Sequence, residues 1–94
     1  MYTIEDLYNY TMHKKPVAVH FKMGTPSYRQ LGEFVTVMDF NLSNEERILM
    51  GKRVFKGEQS QGKVSVKILA ELGSDSLYKD AIINTNDIEE IESR

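Results

Sequence analysis

The run Gly62-Lys-Val-Ser-Val-Lys-Ile-Leu-Ala-Glu-Leu72 constrains the fold more than any other stretch of the chain. Val64, Val66, Ile68, Ala70 and Leu72 recur at every second position, with Lys63, Ser65 and Lys67 between them. A period of two puts the apolar set on one face of a β-strand and the polar set on the other. Such a strand needs neighbours for its backbone groups and a cover for its apolar face.

The segments on both sides supply candidates. Val17, Val19, Phe21 and Met23 alternate with Ala18, His20 and Lys22, which predicts a half-buried strand over 17–23. Residues 32–40 are dense in β-branched and aromatic side chains and predict a second strand, covered on both faces for part of its length. Gly24–Tyr28 has loop chemistry and Asn41–Asn44 reads as a turn.

Residues 45–56 satisfy two patterns. Ser43 with Glu46 offers a capping box, and Glu45–Met50 would suit a helix. Gly51 interrupts that pattern, however, while Ile48, Met50 and Val54 share a strand face, so a strand over 46–56 is the expectation. With Gly57–Gly62 as a hairpin loop centred on Ser60, Val54 then faces Val66, Met50 faces Ala70 and Ile48 faces Leu72.

Downstream, Gly73–Ser76 reads as a turn, and Leu77 with Tyr78 as one short helical turn. Residues 81–91 read as a strand kinked near Asn84–Asn86, or as two short strands. At the N-terminus, Thr3 and Asp6 have capping-box spacing, and Ile4, Leu7, Tyr8 and Thr11 or Met12 recur at helical spacing. Lys14 and Lys15 suit a helix C-terminus and Pro16 ends the run, which predicts a helix over 3–14.

A short N-terminal helix followed by five strands predicts one α+β, mainly β, domain over 1–94: a strongly bent five-stranded antiparallel sheet or small barrel. In this order the chain resembles the Sm-like and SH3-like small β-barrels. The resemblance is carried by Val17–Met23, by Gly32–Phe40 with Asp39 near its end, and by Ile83-Asn-Thr-Asn-Asp-Ile-Glu-Glu-Ile91, a tight turn followed by Ile-x-x-Ile. Where those proteins bind RNA, they place Asn or Asp and Gly in two loops. Asn84-Thr-Asn-Asp87 has no such glycine, so the resemblance implies the barrel without carrying RNA-binding residues. An OB-fold is the alternative architecture.

The common chemistries find no constellation. The chain has no cysteine, which excludes disulfides, thiolate nucleophiles and Cys-based zinc sites and suits a cytoplasmic protein. His13 and His20 match no zinc-ligand spacing and read as surface residues. Asp39-x-Asn41-x-Ser43-Asn44 begins like a calcium loop, but Asn44 and Met50 stand where glycine and a bidentate glutamate are needed. Ser27, Ser43, Ser60, Ser74 and Ser76 sit in turn-like segments, none within Gly-x-Ser-x-Gly, and no phosphate-binding glycine motif is present. No apolar run approaches the ~20 residues that span a bilayer, and Glu5 and Asp6 stand where a signal peptide carries positive charge. A non-enzymatic, cytoplasmic protein without cofactor or metal is expected.

Charge divides unevenly along the chain. Residues 47–70 carry a net +5 and residues 71–94 a net −5 inside a total of −2. The expected hairpin sets Arg53 opposite Lys67, with Arg47, Lys56 and Lys63 nearby and Phe55 as the aromatic able to join that face, whereas Phe21, Phe34 and Phe40 read as core. Like charges directly opposite are unfavourable, which points to an anionic partner: the acidic 87–92 segment of a neighbouring subunit, or an acidic or phosphate-bearing ligand. The expectation is a protein-binding module, homo-oligomeric if exposed edge strands pair. Single-stranded nucleic-acid binding and small-ligand binding are the alternatives, the former opposed by a pI near 5.6. Short chains without a catalytic constellation are common among accessory and inhibitor proteins of phages and other mobile elements.

Overall fold

The computed structural model describes residues 1–13, 16–72 and 75–93. Its elements run α1 (Ile4–His13), β1 (Val17–Phe21), α2 (Pro26–Leu31), β2 (Phe34–Phe40), α3 (Asn44–Phe55), β3 (Lys63–Leu72), β4 (Asp75–Asn84), a 3₁₀ turn (Thr85–Asp87) and β5 (Ile88–Ser93). The strands form one antiparallel sheet in the order β4-β3-β2-β1-β5. β4 and β5 stand at opposite ends of that order, yet only the three residues of the 3₁₀ turn join them. A link so short requires a strongly bent sheet, as expected from the order of the elements. Thr85 exchanges bonds with Gly62 at the start of β3, and the Lys22 N–H at the end of β1 donates to the Asp87 carbonyl at 2.8 Å.

α1 forms where its capping box requires. The Thr3 N–H donates to Asp6 Oδ2 and the Asp6 N–H to Thr3 Oγ1, both at 3.0 Å. The helix buries Leu7, Tyr8 and Thr11 and packs on β2 and α3. Tyr8 meets Phe40 edge to face, with ring centroids 5.4 Å apart. Val17, Val19, Phe21, Val35, Val37, Phe40, Met50, Val66, Ile68, Ala81, Ile83, Ile88 and Ile91 join Leu7 and Tyr8 in the core. On β3, Val66 and Ile68 are buried as expected, and Val64 and Ala70 are half-buried. Leu72 falls outside the described side chains, and Gly73, Ser74, Lys14 and Lys15 lie outside the described residues.

Five expectations are overturned. Residues 46–55 belong to the helix α3, with Lys56 as its C-cap, and not to a strand, because the Ser43–Glu46 capping box closes in both directions and places Glu45 and Glu46 at the positive end of the helix and Lys52 and Arg53 at the negative end. The supposed hairpin register of 48–56 with 62–72 therefore does not exist. β3 pairs instead with β2 and β4, and Lys67 stands opposite Asp39 and Asp80 rather than Arg53. The Gly24–Tyr28 loop gives way to α2, with Thr25 as N-cap and Pro26 in the first turn, a position where proline's fixed φ and missing N–H are no handicap. Leu77 and Tyr78 lie in β4, paired with Ala70 and Leu69, not in a helical turn. Phe34 is 42% exposed rather than core, its ring 5.3 Å from that of His20.

Candidate docking surface on the third helix

The six residues expected to form one basic site, Arg47, Arg53, Phe55, Lys56, Lys63 and Lys67, are distributed over three places. Arg47 and Arg53 lie on the inner side of α3 and end on carboxylates. Arg47 Nη1 and Nη2 reach Asp39 Oδ1 and Oδ2 at 3.1 and 3.2 Å, and Nη2 also donates to the Phe40 carbonyl at 2.9 Å. This two-pronged bond to Asp39 outweighs partial burial and raises the guanidinium's pKa. Tyr8 adds a hydrogen bond from its hydroxyl to the Arg47 carbonyl.

Arg53 reaches the buried carboxylate of Glu5 at 2.6 Å and the exposed one of Glu58 at 3.3 Å. The same Glu5 accepts from the N–H and the hydroxyl of Ser60. Burial alone would push the Glu5 pKa up; the Ser60 hydroxyl and N–H, Glu5's own N–H and Arg53 together bring it below its ordinary value. This knot ties α1, α3 and the 57–62 connection together, and the Ile4 N–H donates to the Ser60 carbonyl at 2.8 Å beside it.

Lys63 and Lys67 belong to the outer face of β3. Lys67 Nζ lies 3.3 Å from Asp80 Oδ1, which also accepts from Asn41 at 3.0 Å. Lys63 lines an open cleft of about 410 Å³ with Pro26, Ser27, Gln30, Ile82, Asn84 and Asp87. At the floor of that cleft, Asp87 Oδ2 accepts from the N–H and hydroxyl of Ser27 at 3.1 and 2.7 Å.

Phe55 and Lys56 remain on the outer side of α3, and there the helix presents what the sequence reading missed. Phe55 is 93% exposed, Ile48 60% and Leu49 59%, on the side opposite the buried Met50. At 100° per residue, Ile48, Leu49, Lys52, Phe55 and Lys56 fall within one broad face, with Glu45 at its N-terminal end. The signal was present in the capping box; reading the segment as a strand assigned Ile48 to the core.

Among the described residues no cluster of His, Asp or Glu could hold a metal ion. His13 is exposed, and His20 is half-buried with Nε2 3.0 Å from Glu92 Oε1. Ser27 and Ser60 bond to carboxylates, and neither bonds to a histidine. Among the described residues no helix is long and apolar enough to cross a membrane. No protein-family model matches the chain, and neither does any curated protein or solved structure compared with it.

Proposed function

We propose that this chain is a non-enzymatic binding module that acts through protein–protein contact, and that it docks an acidic protein surface on the outer face of α3. The observation that carries this reading is Phe55, 93% exposed on the same helix face as Ile48 and Leu49, with the exposed Lys52 and Lys56 at neighbouring positions of that face. An apolar helix stripe anchors a partner when it leaves water, and cations at its rim steer an anionic surface toward it. The Sm-like or SH3-like barrel is the architectural side of the same proposal, supported by the N-terminal helix and the bent five-stranded antiparallel sheet. A role as an accessory or inhibitor protein of a mobile element fits its size and rests on that alone. Single-stranded nucleic acid is the less favoured partner. Arg47 and Arg53 are engaged by Asp39 and Glu5, which leaves one aromatic and two lysines where a basic groove with several stacking rings is needed.

The test is capture from the native cell after nuclease treatment, using the wild-type chain and a Leu49→Gln/Phe55→Gln variant in parallel. The expected result is a partner with an acidic surface that the variant loses and that reconstitutes a complex with the purified wild-type chain. Identical capture by both, or salt-sensitive retention of the wild type on single-stranded RNA or DNA without a protein partner, overturns the reading.

A further inference from the structure

The two edges of the sheet are built differently, and one of them matches itself. The outer edge of β5 carries Glu89, Glu90 and Glu92, all exposed, the kind of charge that deters edge pairing. β4 exposes Leu77 (48%), Tyr78 (61%) and Ile82 (54%). Its backbone polarity follows from one bond. The Asn84 N–H points away from β3 and donates to Ser27 Oγ of α2 at 3.4 Å. Since successive residues alternate in direction, the N–H and C=O groups of Ile82, Asp80 and Tyr78 also point away from β3, where no further strand follows in the sheet order. α2 closes this edge at Asn84 and leaves it open from Ile82 back to Tyr78.

We propose that β4 is a dimerisation edge that pairs antiparallel with β4 of a second copy about a two-fold axis through Asp80. That register sets Tyr78 opposite Ile82 of the second copy, Leu77 opposite Ile83 and Lys79 opposite Ala81. Two of the three exposed apolar side chains, Tyr78 and Ile82, thus meet across the axis, and an aromatic facing a β-branched residue is a favourable cross-strand pair, while Leu77 lies opposite Ile83, which its own core already covers. A two-fold at Lys79 would instead oppose two lysines and put Tyr78 against Asp80. A two-fold at Ala81 would put Ile82 against Asp80 and Tyr78 against Asn84, whose N–H Ser27 already holds, and so would pair no two of the exposed apolar side chains.

The cleft gives an independent reason for the same occupant. Ile82 forms one of its walls, and Lys63, Asn84 and Ile82 all lie on the outer face of the β3–β4 pair. Tyr78 of the second copy, opposite Ile82 on that face, stands at the mouth of this space of about 410 Å³, between the apolar Pro26 and the polar Gln30, Asn84 and Lys63. Tyrosine, apolar in its ring and polar at its tip, suits such a lining. The unfavourable contact is Asp80 facing Asp80, and each carboxylate already has Lys67 and Asn41 beside it. The surface is separate from the outer face of α3 and does not depend on that proposal.

Because the chain has no cysteine, a single introduced thiol reports the register cleanly. Directly opposed residues that exchange hydrogen bonds have Cα atoms about 5.5 Å apart, within disulfide range. Under mild oxidation Asp80→Cys is expected to form a covalent dimer at least roughly tenfold faster than Glu89→Cys, since pairing raises the local thiol concentration. Light scattering should give the wild type a dimer mass that Ile82→Lys reduces to a monomer, with Tyr78→Ser as the milder variant if the first does not fold. A monomeric wild type, equal oxidation rates at the two cysteine positions, or a dimer that persists in both edge variants overturns the proposal. So does covalent capture of a different protein's strand at Asp80→Cys in place of a second copy.

Discussion

On the inner side of α3, Arg47 and Arg53 each end on a carboxylate, and Met50 is buried between them in sequence; on the outer side, Lys52 and Lys56 end in solvent among Ile48, Leu49 and Phe55. One helix of twelve residues thus carries two kinds of charge and two kinds of apolar side chain. The inner cations bind the helix to the domain through partners on α1 and β2. The outer apolar residues contribute little to folding, because burial stabilises only what leaves water. Stability should therefore respond to the inner face and binding to the outer.

The largest effect is expected at Glu5. Glu5→Ala removes one acceptor of Arg53, which keeps Glu58, and the acceptor of both Ser60 donors, and it leaves the Ser60 N–H without its partner at a half-buried position. Because Arg53 can turn to water, the expected loss is about 3 kcal/mol, the low end for breaking a buried ion pair. Chemical denaturation at neutral pH measures it. The pH dependence has a definite sign. The folded-state pKa of Glu5 lies below its ordinary value of 4.5, so this carboxylate contributes its full stabilisation above that value. The contribution fades as pH falls below it and through the folded-state pKa. The wild type should lose stability over that acid window, and Glu5→Ala should lose less over the same interval. Equal acid slopes would mean that the knot contributes nothing electrostatic.

Met50→Ala comes next on the inner face. Met50 is 8% exposed at the edge of the core, so its truncation is expected to cost about 2 kcal/mol, the low end for a buried methionine. A midpoint unchanged in urea would place Met50 outside the core.

How much of this was legible follows from where the deciding contacts lie. α1, β1, β2 and β3 are specified locally, by the Thr3–Asp6 box and by alternation, and they stand within a few residues of expectation. α3 carried two local signals of opposite sense. Ile48, Met50 and Val54 share a parity, which imitates a strand, while Ser43 and Glu46 cap a helix. The cap was decisive because its bonds are satisfied at once, whereas a strand here would have needed β3, which β2 and β4 already occupy. The basic residues were legible as a cluster in sequence but not in space. Arg53 and Glu5 are 48 residues apart, and no periodicity shows such a pair. Phe55 and Lys56, which need no distant partner, lie in the open, though on a helix rather than on the strand face expected for them.

Gly51 sharpens the comparison from the other direction. It lies in the exposed interior of α3, its φ is not in the left-handed region, and an added Cβ meets nothing within 4 Å. Gly51→Ala should therefore raise stability by roughly 0.5–1 kcal/mol through helix propensity alone. A loss in urea denaturation would show that something occupies the space beside the helix.

The smallest stability effect belongs to the outer apolar residues. Leu49→Gln and Phe55→Gln replace side chains that are 59% and 93% exposed, and glutamine is a good helix former, so each should change unfolding free energy by less than about 0.5 kcal/mol. This near-silence separates a docking face from a structural one. If either variant instead costs more than about 1 kcal/mol, the face is covered in the free protein, and the protein concentration identifies the cover. A cost that grows with concentration places a second copy of the chain on α3. A cost independent of concentration places a segment of the same chain there, and in either case the face is not open to a partner.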